Sequence, residues 1–173
     1  FRSDVVLIAA PVGATADLLE LLSGAITEKM VVTDVGSTKA GIVSSAKHVL
    51  GDCFARFVPG HPVAGSERSG AVAAQADLFV GHWTVLTPTA ETDSSAIDTV
   101  RQLWEEIGSH VRVMEPETHD RVLGMTSHLP HATAYALVAQ LAQQDDKELC
   151  FEMAAGGRSE EHTSELQSPC NLV

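Results

Sequence analysis

Near its start the chain carries "DVVLIAA", a short continuous apolar run rich in Val and Ile. That pattern predicts a central strand, buried on both faces of a parallel sheet. Leucines at helical spacing follow in "ATADLLELLSGAIT"; "MVVTDVG" then repeats the strand pattern and "KAGIVSSAKHVLG" returns to helix. Further on, "ARFVPG" and "WTVLTP" read as strands, "SSAIDTVRQLWEEIG" as an amphipathic helix and "HVRVME" as another strand. This alternation predicts an α/β fold built on a doubly wound parallel sheet. After "PETHD" the pattern changes to "RVLGMTSHLPHATAYALVAQLA", which is long, apolar and helical with no strand behind it. Residues 1–114 are therefore expected to form most of one domain, and residues 115–157 the start of a second, helical one.

From Arg158 the composition turns polar in "RSEEHTSELQSPCNLV", which continues no apolar period. The stretch resembles the conceptual translation of a common sequencing adapter, so residues 158–173 are expected to be a non-native, disordered tail; a disordered native tail is the alternative. A central strand is rarely the first of a doubly wound sheet, Phe1 is not an initiator methionine, and no GxGxxG occurs. The expectation is an internal part of a longer protein whose first βαβ unit precedes Phe1.

Composition narrows the function. The 173 residues are 45% hydrophobic and 20% charged, within the globular range. Eleven Lys and Arg against 23 Asp and Glu give a formal net charge of -12, which repels phosphate backbones and anionic lipid surfaces and argues against nucleic acid or membrane as partner. Cys53, Cys150 and Cys170 form no CxxC pair, which fits a reducing, cytoplasmic setting.

In an open α/β sheet the ligand binds outside the carboxyl ends of the strands, so the residues after each strand are read together. "APVG" (with Ala10, Pro11 and Val12) follows the first strand, "DVGSTK" the second and "PGHPVAG" the third. Pro11, Gly36, Ser37, Lys39, Gly60 and His61 are thereby brought toward one edge. His61 is expected in the loop leaving the third strand, and glycines there would let backbone approach a flat ring. Taken singly, Gly36 also reads as a turn residue, Ser37 as a cap for the helix starting at Lys39, and Pro62 as a loop stiffener. "TSHLPHATA" adds Ser127, His128 and His131, with Pro130 marking a helix start or kink. His128 and His131 have no local carboxylate or cysteine to complete a metal set, and no metal site is expected.

Together, "DVGSTK", "FVPGHPVAGSERSG", "VLTP", "ETHD", "SHLPH" and "AAGG" resemble the prephenate/arogenate dehydrogenase family in order and spacing, from Phe1 to Gly157. The resemblance implies a Rossmann-like dinucleotide-binding domain followed by the start of a helical dimerisation domain. It implies oxidative decarboxylation of prephenate to 4-hydroxyphenylpyruvate, or of arogenate to tyrosine, with NAD or NADP as cofactor and a homodimer as the assembly. It gives His61 as the base for the ring hydroxyl and Ser37 as the group orienting it. Ala10, Pro11, Val12, Gly36, Ser37 and Pro62 fall on the cofactor side. Ser127, His131 and His119 fall on the substrate side, with His119 and Asp120 organising the loop that enters it.

Family members also carry a substrate-clamping arginine beyond "AAGG", a role for which Arg158 is not a candidate. Without that arginine and the glycine-rich unit, residues 1–173 alone are expected to lack turnover, and NAD and NADP stay open. Two other readings remain. One is another two-domain NAD(P)-dependent dehydrogenase, which would call for a catalytic lysine in the second domain, where only Lys147 in "QQDDKE" is on offer. The other is a dinucleotide-binding module without turnover.

Overall fold

The computed structural model describes residues 3–65, 72 and 74–156. Ser66–Gly70 of the quoted glycine-serine motif, Gly157 and the 158–173 tail lie outside these residues. The chain divides into two compact units between Asp120 and Arg121.

In the first unit β1 (Val5–Ile8), β2 (Val31–Asp34) and β3 (Phe57–Val58) pair in parallel in that order, with Val5 opposite Val31 and Val32 opposite Phe57. Helices α1 (Val12–Ser23) and α2 (Ala40–Leu50) make the crossovers. Side chains alternate across β2 and β3. Val32 and Phe57 join Ile8, Leu19, Ile42 and Ala46 in one core, whereas Val31 and Val58 join Leu86, Ala96, Val100 and Trp104 in the other. Helix α3 (Ser94–Glu106) presents Ala96, Val100 and Trp104 at four-residue spacing to that second core. Helices therefore cover both faces of the sheet, in a Rossmann-like arrangement. Burying Phe57 or Leu19 contributes about 1.5–3 kcal/mol each.

Among the described residues β1 pairs with β2 and Leu7 is 42% exposed, while all four residues of β2 are buried. Two expectations change. His61 lies in a strand, β4 (Gly60–Val63), rather than a loop. Pro59 has no N–H to continue the ladder to β2, and the chain runs on extended with β5 (Trp83–Leu86) on its other side, His61 opposite Val85. β4, β5 and β6 (His110–Val113) form a second three-stranded sheet, and this one is mixed: β4 and β5 are antiparallel, while β5 and β6 are parallel, so "VLTP" ends at the edge away from Val63.

Helix α4 (Pro116–Leu123) begins in the first unit and carries His119 and Asp120, which were expected in a loop. Both side chains bond to first-unit residues. The second unit continues through a π-helical turn (Gly124–His128) into α5 (Leu129–Ala142) and α6 (Lys147–Gly156). Pro130 sits in the first turn of α5, where its missing N–H costs nothing. No residue of α5 is buried; Leu129, Tyr135, Leu137 and Val138 are exposed. No helix of the described residues is long and apolar enough to cross a membrane.

Candidate active site

The carboxyl ends of β1 and β2 and the strand β4 open onto one cleft of about 450 Å³. Ala10, Pro11, Val12, Gly36, Ser37, His61 and Pro62 all line it. Two strand ends and the start of a third strand are thus enough to gather them. The pattern of apolar runs did not point to Leu78 and Phe79, which close the same cleft from the turn before β5.

Two glycines hold this edge together, for a reason other than access for a ring. A Cβ on Gly36 would come within 2.8 Å of Ile42 Cδ1 and 2.9 Å of Asp34 Oδ2; one on Gly60 would come within 2.9 Å of the Asp34 carbonyl oxygen. The space beside each backbone is filled by the protein itself. Asp34, fully buried at the end of β2, accepts hydrogen bonds from the Gly36 amide (2.8 Å), the Gly60 amide (3.1 Å) and the Lys39 ammonium (2.5 Å). Lys39 Nζ also donates to the Gly60 carbonyl at 2.8 Å. Both backbone groups of Gly60, the residue before His61, are therefore tied to one buried ion pair. Burial lowers the Lys39 ammonium below the usual lysine value, against the attraction of Asp34 and Asp120.

His61 is half-buried, and its Nδ1 lies 2.8 Å from Nε2 of His119, the rings meeting edge to face with centroids 5.1 Å apart. His119 is fully buried and so exposes no surface of its own to a ligand. Its Nδ1 lies 2.8 Å from Asp120 Oδ1. The same carboxylate accepts the backbone N–H of Lys39 (2.8 Å, Oδ1) and of Ala40 (2.9 Å, Oδ2). Asp120, not Ser37, thus caps the start of α2, whose N-cap residue Lys39 makes no side-chain cap bond. Partial burial pushes the Asp120 carboxyl up, but hydrogen bonds from the Ala40 amide, the His119 ring and the Lys39 amide, with the attraction of His119, hold it below its ordinary 3.8. A carboxyl lowered in this way stabilises the fold at pH above that ordinary value, and its contribution is lost as pH falls through the lower folded value.

Ser37 is exposed on the cleft wall. Ser127 and His131 lie on the second unit, Ser127 half-buried in the π-helical turn and His131 exposed in the first turn of α5. Among the described residues no group of three His, Cys, Asp or Glu side chains is arranged to hold a metal ion.

Residues 2–113 match the family model of the prephenate dehydrogenase nucleotide-binding domain, and residues 115–162 that of the prephenate dehydrogenase dimerization domain. The chain belongs to the prephenate dehydrogenase family. It is 37% identical over 146 residues to a cyclohexadienyl dehydrogenase of Zymomonas mobilis, covering 84% of this chain and 49% of that protein. It is 40% identical over 154 residues to a prephenate dehydrogenase of Bacillus subtilis, covering 88% of this chain and 41% of that one. The chain thus spans less than half the length of these curated relatives. Among solved structures, the Aquifex aeolicus prephenate dehydrogenase in complex with hydroxyphenyl propionate and NAD+ superposes with a TM-score of 0.79 at 34% identity, covering 98% of this chain and 62% of that one.

For a prephenate dehydrogenase family chain, the residues that reading by strand ends missed are Asp34 and Asp120. Asp34 could have been found as a charge inside the apolar strand "VVTD", because a carboxylate buried there needs a cation, and Lys39 is the nearest one in sequence. Nothing local marks Asp120 as the cap of a helix 80 residues earlier.

Proposed function

We propose that the enzyme containing this chain oxidises prephenate, or arogenate, with NAD or NADP and releases carbon dioxide, with His61 as the proton acceptor. The observation that carries this reading is His61 on the wall of the cleft at the β1 and β2 ends, its Nδ1 already engaged by a buried histidine. The cleft has small or apolar walls at Ala10, Pro11, Val12 and Gly36 and a polar edge at Ser37 and His61. A flat, partly apolar ring fits that set. Its described lining holds no cation to meet a phosphate, so these residues suit the nicotinamide end of a dinucleotide. When bound, the cofactor accepts the hydride.

The ring hydroxyl of the substrate must lose its proton as the hydride leaves its carbon and a carbonyl develops. His61 takes that proton, a task for a base that titrates near neutral pH. Loss of carbon dioxide then aromatises the ring, and the ring oxygen regains a proton to end as a phenol. Ser37, on the same wall, orients the hydroxyl toward His61. Ser127 and His131 contribute to the substrate side from the helical unit, and a homodimer covers the exposed apolar residues of α5. The free thiols Cys53 and Cys150 fit a cytoplasmic enzyme.

The test is formation of reduced cofactor by the purified enzyme, with prephenate and arogenate in separate arms and with NAD and NADP each supplied. Turnover of one or both supports the reading; cofactor binding with no turnover of either would favour a binding module. Within the same enzyme, Ser37→Ala is expected to cost turnover less than His61→Asn does. The double variant is expected to be little worse than His61→Asn alone, since orienting toward a base matters only while the base is present. A double-mutant cycle reads this directly, and fully additive losses would mean that Ser37 acts independently of His61.

A further inference from the structure

Leu78 and Phe79 belong to no strand end, yet they line the same cleft as Ala10, Pro11, Val12 and Ser37. Resting on the reading that this cleft takes the nicotinamide end of the dinucleotide, we propose that Leu78 and Phe79 are a cofactor-binding wall. They cover the nicotinamide ring from the side opposite the β1 end, exclude water from it and fix how it lies.

The strand order places the two walls apart. β1 pairs with one side of β2 and β3 with the other; β3 runs on into β4, and β5 lies beyond β4. The cleft therefore runs from the end of β1, across the end of β2, to the turn that leads into β5. Ala10, Pro11 and Val12 give it small apolar surface at one end, and Leu78 and Phe79 give it a larger apolar surface at the other. The polar groups of Ser37 and His61 come from the strands in between. A planar ring with apolar faces and a polar carboxamide edge matches that division. Held between two walls, the ring presents its reacting carbon in a restricted set of orientations, which is what hydride transfer requires of it.

The turn that carries this wall is fixed to the fold. The Phe79 ring meets Trp104 edge to face, with centroids 5.2 Å apart and planes at 81°, and Trp104 is buried in the second core. The Val80 amide donates to the Asp77 carbonyl at 3.0 Å, the His82 amide to the Phe79 carbonyl at 3.2 Å and the Gly81 amide to the Gly108 carbonyl at 2.9 Å. Gly108 has φ 92°, and a Cβ on it would come within 3.3 Å of Val80 Cγ2, so the turn packs closely on the link between α3 and β6. Phe79 packs on the core through Trp104, yet it is only half-buried and borders the cleft.

The test is the affinity of the full-length enzyme for NAD and for ADP-ribose, which is NAD without its nicotinamide; the 2′-phosphorylated pair replaces them if the enzyme takes NADP. Phe79→Ala should weaken NAD roughly 10-fold, the scale of one lost aromatic contact, and leave ADP-ribose unchanged. Leu78→Ala should act in the same direction more weakly, and it carries the test alone if Phe79→Ala does not fold. Equal weakening of both ligands would make Phe79 a core residue acting through the fold and overturn the proposal, as would an unchanged affinity for NAD. Ser37→Leu separates failure of the wall from failure of the reading on which it rests, because it fills the cleft from an exposed position at the β2 end. If Ser37→Leu weakens NAD but not ADP-ribose while Phe79→Ala changes neither, the cleft holds the nicotinamide and the wall alone is overturned. If neither variant separates the two ligands, the nicotinamide lies elsewhere and both ideas fall. No arm depends on turnover, so the identity of the oxidised substrate does not enter the result.

Discussion

His61→Asn is expected to lower turnover of the enzyme by roughly 10²–10⁴-fold while leaving cofactor affinity nearly unchanged, the range associated with losing a general base. The residue lies on the cleft wall with one ring nitrogen committed to His119, so removing the imidazole takes away the proton acceptor without removing a cleft wall. Asn retains the approximate size of the ring's proximal half and a hydrogen-bonding amide toward His119, which limits collapse of the buried pair. Steady-state kinetics beside a cofactor titration separates the two effects. An unchanged kcat would remove His61 from the proton-transfer step, and a matching loss of cofactor affinity would make its role one of binding.

Lys39→Met is expected to destabilise the first unit by about 3–5 kcal/mol, the usual cost of breaking a buried ion pair from one side. Asp34 would remain fully buried with its backbone donors but no countercharge, and the Gly60 carbonyl would lose its ammonium partner. Against a total stability of about 5–15 kcal/mol this is a large fraction, and it falls on the segment that carries His61. Urea unfolding should show a lower midpoint with an unchanged slope. A loss under about 1 kcal/mol would mean that the pair contributes little beyond the hydrogen bonds Asp34 makes to the two amides.

Strand-end logic brings Pro11, Gly36, Ser37 and His61 to one cleft, whose lining also includes Ala10, Val12 and Pro62 from the family resemblance but not Lys39 or Gly60. It works because parallel strands joined by helical crossovers put their carboxyl ends on one edge whatever the details of packing. It is less informative about the reasons for individual residues. Gly36 and Gly60 are glycines because Ile42 and Asp34 crowd them. Ser37 leaves the capping of α2 to a residue on α4.

Apolar periodicity, which needs only the order of residues along the chain, carries the α/β class, the helices on both faces of the sheet and the change to an apolar helical segment. Motifs of fixed local spacing carry the family. Neither reaches contacts made between segments far apart in sequence. The antiparallel pairing of β5 with β4 and the switch at Pro59 depend on which strand lies alongside, and a run of apolar residues is equally content beside several partners. The Asp120–His119–His61 chain and the bond from Asp120 back to Lys39 depend on where α4 docks, 58 and 81 residues away from the groups it meets. Folding alone brings those groups within hydrogen-bond distance.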